Sequence, residues 1–433
     1  MSKAACTTIG ELAAREGAGT ERSVENCHLH FNGPGAAGFG VKRTAMLLPE
    51  SAMLLIAPGC CGRHGTITAG KSGFEDRMFY LRMDERDIVT GSYIGRISEA
   101  ARLTVEKANP RALLLCMTCV DALLGTHLES IGKKLERELS VPVVSCFMDP
   151  ITRESRRAPM VSVQQAIMRC LRQRDTRGDT VSVLGGFVPV DEGSEFRTLL
   201  NNAGIRHMRE ISACESFDEY LKMAEARLNI VIHPQAEASA KDIRKGTGIP
   251  YIMWDQDYSP ARTARSYETL GSALGVRFDT AAYQKAAGNA LAAFAARHPG
   301  ISFAIGEAIT GNPFELAETL LDAGIGVSCV FRVIVTPADK AVISRLNERH
   351  PGIPVFSGVH PSMAGADFSH VRADAAIGLD AGYFLPQAVS ICWNMERQPL
   401  GFEQLTALLD EIERSLASPR SHRELMHGSY LVV

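Results

Sequence analysis

Residues 53–65 read Met53-Leu54-Leu55-Ile56-Ala57-Pro58-Gly59-Cys60-Cys61-Gly62-Arg63-His64-Gly65. Five apolar residues run straight into Pro-Gly, and two thiols follow at once. A short unbroken apolar run closed by turn residues is the pattern of a strand buried on both faces. Such strands belong to parallel sheets covered by helices on each side. Ligands of those sheets sit beyond the C-terminal strand ends, which is where Cys60 and Cys61 fall.

The same rhythm recurs along the chain. Residues 112–115 form a second strand candidate, entered through Asn109-Pro110 and followed by Cys116-Met117-Thr118-Cys119. A long helix over about 125–139 precedes a strand at 141–145, and Cys146 comes next. Residues 181–184 lead into Gly185-Gly186 and a helix over 194–203 that Gly204 stops. Residues 229–232 run into His233-Pro234 and a helix through Arg244, and residues 251–254 follow Gly248-Ile249-Pro250. An alanine-rich helix over 281–297 ends at His298-Pro299-Gly300. Beyond it, strands at 302–306, 327–331, 355–356 and 375–377 alternate with helices at 313–323 and 338–350, and a helix at 402–416 closes the chain. Strands alternating with helices predict an α/β fold of doubly wound parallel sheets. Breaks at 172–179 and 298–300 divide it into three Rossmann-like domains. These are 1–172 with the N-terminal segment and the cysteine loops, 173–298, and 299–433 with the C-terminal helix.

Composition narrows the function. With 433 residues, 45% of them hydrophobic, the chain is long enough for several buried cores and too long for one compact domain. The 46 basic and 49 acidic residues leave a net charge of -3 with no charge runs, so neither nucleic acid nor an anionic membrane is an expected partner. No apolar run approaches the ~20 residues that span a bilayer. The first 19 residues lack the apolar centre of a signal peptide. A cytoplasmic location is therefore expected, where the 11 cysteines act as thiols rather than disulfides. Six of them (Cys27, Cys60, Cys61, Cys116, Cys119, Cys146) fall within one stretch of the chain, residues 27–146.

Thiolates delivered from separate loops to one sheet edge suit an iron–sulfur cluster, whose soft iron and sulfide match them. Gly59 and Gly62 would let the backbone approach such a cluster, and are read as cofactor-binding positions. Cys60 and Cys61 are neighbours that cannot easily both face one ligand, so one of the pair is expected to bind. Other readings stay open on the residues alone. Cys116-Met117-Thr118-Cys119 also fits a redox pair, or half a zinc site with His64 or His127 as irregular partners. All the thiols could instead be core filling. The run Asn32-Gly33-Pro34-Gly35-Ala36-Ala37-Gly38 loosely fits a phosphate loop, but it lacks a clear preceding strand and a following acidic residue.

Four segments together resemble nitrogenase component 1 subunits: Cys27 to Gly35, Pro58-Gly59-Cys60-Cys61-Gly62, Asp87-Ile88-Val89-Thr90-Gly91, and Thr118-Cys119-Val120-Asp121-Ala122-Leu123-Leu124-Gly125. The resemblance implies that Cys27, Cys61 (or its neighbour Cys60) and Cys119 hold a P-cluster-like group, 8Fe–7S or 4Fe–4S, shared with a homologous subunit. Cys146 would be a further ligand or a thiol just behind the ligands. Where catalytic α subunits carry a cofactor cysteine, this sequence has His233, which is either an ordinary loop residue or part of an altered site. For the second cofactor ligand the candidates are His360 and His370, neither in a close match. A β-type role follows, with the catalytic iron–sulfur cofactor in an α-type partner, an α2β2 heterotetramer, and an ATP-dependent iron protein as electron donor. Among the family's branches the chain is most similar to the methylthio-alkane reductases. That likeness implies reductive C–S cleavage of a small substrate to methanethiol and a hydrocarbon or alcohol. Competing readings are a non-catalytic scaffold for metallocofactor assembly, a subunit of another nitrogenase-like enzyme such as a tetrapyrrole reductase, and an α/β binding protein with unmetallated thiols.

Overall fold

The computed structural model describes residues 5–15, 19–24, 29–31, 41–59, 61, 74, 76–148, 159–394 and 399–428. Strand β1 (Cys6–Thr8) and the two-residue β2 (Glu21–Arg22) come first. The first parallel sheet then contains β3 (Ser51–Pro58), β4 (Met78–Met83), β5 (Ala112–Thr118) and β6 (Val143–Met148), in the order β4-β3-β5-β6. The second contains β7 (Arg177–Leu184), β8 (His207–Glu210), β9 (Ala226–Val231) and β10 (Tyr251–Met253), in the order β10-β9-β7-β8, again all parallel. In the third, β11 (Ser302–Ile305), β12 (Gly326–Phe331), β14 (Pro354–Phe356), β15 (Ala375–Ile377) and β16 (Val389–Ile391) are parallel, and β1 adds an antiparallel edge to β14. The short β13 (Ile334–Val335) pairs with β2.

The chain packs as two compact units. One holds Met1–Ala37, Val190–Ala203 and Asp255–Val433, and the other Gly38–Pro189 and Gly204–Trp254. The first two sheets lie in the latter unit and the third sheet in the former. The α/β architecture with parallel sheets agrees with the expectation from strand and helix alternation.

The first sheet shows why the apolar runs are unbroken. Every residue of β5 is buried. Ala112, Leu114 and Cys116 face one core with Met53, Leu55 and Ala57 of β3 and with Val41, Ala45 and Met46 of the helix Val41–Met46. Leu113, Leu115 and Met117 face the other core with Tyr93, Ile97 and Ala101 of the helix Tyr93–Ala108 and with Leu128 and Leu135 of the helix Leu128–Leu139. With both faces covered, the strand is apolar up to Thr118 at its end.

Several boundaries moved for identifiable reasons. Strand 112–115 extends to Thr118, so Cys116 lies inside the strand rather than beyond its tip. The strand expected at 141–145 begins at Val143 because Pro142 supplies a ladder carbonyl, accepting from Leu113 N–H at 2.9 Å, but has no N–H of its own. It runs on to Met148, so Cys146 is also inside a strand. The helix expected from 125 starts at Leu128, because Gly125 (φ 63°) and His127 (φ 54°) both adopt left-handed backbone and separate it from the short helix Val120–Leu124. No helix among the described residues is long and apolar enough to cross a membrane.

Candidate metal-cluster site

Each sheet has one place where the chain reverses its direction of strand addition. From β3 the chain adds β4 on one side, then crosses back to add β5 on the other. From β7 it adds β8, then β9 on the opposite side. From β11 it adds β12 and β14, then β15 on the opposite side. At such reversals the loops leaving the two strands part in opposite directions and open a crevice at the C-terminal strand ends. The three crevices therefore lie beyond β3 and β5, β7 and β9, and β11 and β15.

At the second crevice His233 comes close to the glycine that follows β7. Gly185 (φ 111°) follows β7, and a Cβ there would lie 2.9 Å from the His233 Cβ that follows β9. His233 Nδ1 accepts the backbone N–H of Gln235 at 3.2 Å and so caps the turn Pro234–Ala236. An accepting Nδ1 is unprotonated, so the proton of the neutral ring sits on Nε2. Ligation through Nε2 would need the opposite tautomer, and Nδ1 is already engaged. The arrangement does not fit a metal ligand at His233. His360 repeats it: Nδ1 takes the N–H of Ser362 at 3.2 Å and pairs with its hydroxyl at 2.8 Å. His370 stacks on Phe368.

Burial holds the His233 ring well below its ordinary value of 6.5, at about 4. The unfolded chain therefore binds a proton that the folded chain refuses between these values. The stability contributed by neutral His233 is full above about pH 6.5 and is lost as pH falls towards 4. Imidazole 15N and 13C shifts of His233 at pH 5.5 are expected to report a neutral ring with Nε2 protonated. A doubly protonated ring at that pH would contradict the capping geometry.

At the third crevice a carboxylate comes close to the glycine that follows β11. Asp380 is 2% exposed, and its Oδ2 accepts the N–H groups of Glu307 (2.6 Å) and Ala308 (3.3 Å), which follow β11. A Cβ on Gly306 would sit 2.1 Å from Asp380 Oδ1, so only glycine admits this carboxylate. Burial pushes Glu307 up to about 7, against the opposing pull of Arg332.

The first crevice differs. Cys61 follows β3 and Cys119 follows β5, which are hydrogen-bonded neighbours, and both residues are partly exposed. The polar groups buried here without a hydrogen-bond partner among the described residues include the Lys42 ammonium, the Thr44 hydroxyl of the same helix and the Thr118 hydroxyl. Lys42 sits on the buried helix Val41–Met46, within electrostatic reach of Cys116 and Cys61. Burial lowers its proton affinity, and those two thiols oppose the shift. Gly59 is exposed, and a Cβ there would meet only Arg82 Nε at 3.8 Å. No contact among the described residues therefore requires glycine at 59. Buried cations and hydroxyls without partners are costly to leave so. Their presence beside two thiols fits an anionic, thiolate-held group.

The remaining cysteines separate cleanly. Cys116 and Cys146 are register partners on β5 and β6 and are fully buried in one core. Burial pushes the Cys116 thiol up to about 12 and raises Cys146 well above its ordinary value. Both thiols lie within strands rather than in the loops beyond them. Cys27, Cys60, Gly62 and His64 lie outside the described residues. Among the described residues, no group of three or more His, Cys, Asp or Glu side chains gathers as a metal site. Sequence reading missed Lys42 entirely. The available signal was a lysine next to Val41, on the helix face that Ala45 and Met46 also share.

Residues 36–391 match the sequence profile of the nitrogenase component 1 type oxidoreductases. The chain belongs to this family. NifE, a nitrogenase iron-molybdenum cofactor biosynthesis protein, from Nostoc sp. is 24% identical over 334 residues, covering 72% of this chain and 68% of that protein. NifE of Klebsiella pneumoniae is 25% identical over 260 residues, 56% of each. The nitrogenase molybdenum-iron protein alpha chain of Methanosarcina barkeri is 22% identical over 188 residues, 42% of this chain and 35% of that one. The solved structure of nitrogenase Cp1 at pH 6.5 superposes with a TM-score of 0.67 at 15% identity, covering 96% of this chain and 94% of that chain, and so shares the fold.

Proposed function

We propose that this component 1 chain is a β-type subunit that holds an iron–sulfur cluster at the first crevice, shared with a homologous α-type subunit. The observation that carries the reading is the pair of buried, partnerless groups, Lys42 and Thr118, beside the thiols of Cys61 and Cys119. At the other two crevices His233 and Asp380 come close to the glycines that follow β7 and β11. Cys61 (or Cys60) and Cys119, with Cys27 from its own loop, would supply the thiolates, and glycine at 59 and 62 would let the backbone approach the cluster. Bound there, an 8Fe–7S or 4Fe–4S group supplies stored, low-potential electrons. The chain's own residues position it, exclude water from its inner face through β3, β5 and the helix Val41–Met46, and balance its charge.

The partner's face is supported by exposed apolar side chains around the crevice. Val89 is 85% exposed and Leu123 68%, with Ile94 and Leu124 beside them. The Tyr93 hydroxyl pairs with that of Thr126 at 2.7 Å, which joins the start of the helix Tyr93–Ala108 to the loop after Leu124. Such a patch is typical of a protein–protein contact. An α2β2 assembly, with an ATP-dependent iron protein delivering electrons and the catalytic cofactor held by the partner, completes the proposal. His233 and His360, each engaged through Nδ1, accord with a chain that does not bind that cofactor itself.

For the reaction, the finer proposal is reductive cleavage in the cytoplasm: a methylthio-alkane takes two electrons and two protons, the carbon–sulfur bond breaks, and methanethiol leaves with a hydrocarbon or alcohol. Seven of the relatives found are NifE proteins, which favours a second reading, a scaffold for metallocofactor assembly. One experiment separates them. The anaerobically purified complex, given iron protein, ATP and 2-(methylthio)ethanol, is assayed for methanethiol. Release that depends on ATP supports the reductase. No release, with transfer of an iron–sulfur cofactor to an apo-acceptor instead, supports the scaffold.

A further inference from the structure

Lys42 has no role in the fold that its surroundings explain. It is 8% exposed, on the helix face that also buries Val41, Ala45 and Met46 against the first sheet. Its ammonium finds no hydrogen-bond partner among the described residues. A buried ammonium is retained at considerable cost unless something anionic meets it. Among the described residues, the groups acting on its charge are the thiols of Cys116 and Cys61. Cys116 is sealed in the core and protonated, which leaves the Cys61 side, where the crevice opens.

We infer that Lys42 is the internal counter-charge of the cluster site, a positioning residue that raises the reduction potential of whatever cluster Cys61 and Cys119 hold. The inference rests on the cluster reading above and adds to it the residue that sets the potential. Reduction adds negative charge to a cluster whose thiolates and sulfides already carry an excess. A fixed positive charge buried beside it, poorly screened by water, stabilises the reduced form more than the oxidised one. The Thr118 hydroxyl, also buried and unpartnered at the end of β5, supplies a dipole on the same face. Lysine suits this place because four methylenes pack in the core while the charge reaches the crevice.

The test compares the anaerobically purified complex carrying wild-type Lys42, Lys42→Met and Lys42→Arg. Iron content and the cluster's midpoint potential are followed by EPR-monitored redox titration. Lys42→Met keeps the length and removes the charge; Lys42→Arg keeps the charge. The midpoint is expected to fall in Lys42→Met by at least a tenfold change in the reduction equilibrium, about 59 mV for one electron, and to stay near wild type in Lys42→Arg. Loss of iron from the Met variant but not the Arg variant also supports the inference, since charge is what separates them. Full iron with an unchanged midpoint in Lys42→Met overturns it and leaves the cluster reading standing. Equal loss of iron or equal shifts in both variants overturn it as well, because packing would then be the cause. Absence of iron from the wild-type complex overturns both.

Discussion

Serine at both Cys61 and Cys119 is expected to strip most of the iron from the anaerobically purified complex while leaving the chain folded. Both residues follow strand ends, Cys61 packing at the margin of the first core, and serine is close to cysteine in size, so neither replacement opens a core cavity. An outer-shell partner alone changes metal affinity by roughly 10–100-fold, and losing two thiolates should exceed that. Alanine at Cys116 or Cys146 should do the reverse. Those thiols are fully buried on adjacent strands, so their removal leaves small cavities that destabilise by about 1–2 kcal/mol with little change in iron per chain. Iron and acid-labile sulfide per chain, with a denaturant melt of each variant, would check the contrast. Equal iron loss from the two pairs would remove the distinction between tip and core thiols.

The second large effect concerns the third sheet. Gly306→Ala would place a Cβ 2.1 Å from Asp380 Oδ1. The carboxylate cannot simply withdraw, because its other oxygen holds the N–H groups of Glu307 and Ala308 and it is 2% exposed. Either the loop after β11 shifts or a buried carboxylate loses its donors. The expected cost is about 3–5 kcal/mol, read as a lower denaturation midpoint. Gly59→Ala offers the comparison. Its Cβ would meet only Arg82 Nε at 3.8 Å, so stability should change by no more than about 0.5 kcal/mol. If the backbone at Gly59 approaches a cluster, the same variant should still lower the iron content. Two glycines at homologous strand-end positions would thus separate structural from ligand-directed requirements.

Much of this was legible in the sequence, for physical reasons that also mark where legibility stopped. The β3 and β5 runs were readable because burial on both faces excludes polar residues, and the turn signals Pro58-Gly59 and Asn109-Pro110 bounded them. The helix Ala281–Arg297 was bounded by His298-Pro299-Gly300 in the same way. Strand β4 escaped because, as an edge strand, it alternates buried and exposed residues over Met78–Met83 and includes Arg82. Pairing of β1 with β14 joins residues more than 340 positions apart, and local pattern carries no trace of it. At the site, Cys61 and Cys119 stood out because a thiol after a strand end is visible in one dimension. Placing Cys116 and Cys146 beyond the strand tips failed because both strands run on for three residues past the expected ends. Lys42 shows in the sequence only as a lysine on an apolar helix face, since its meaning depends on a sheet that forms later in the chain.

The most direct measurement is iron anomalous scattering from anaerobically grown crystals of the complex. An iron peak is expected in the crevice beyond β3 and β5, bonded to the sulfurs of Cys119, Cys27 and one of Cys60 or Cys61, with the Lys42 ammonium facing it. Crystals with iron elsewhere, or with these sulfurs packed against apolar side chains and no metal between them, would contradict the account.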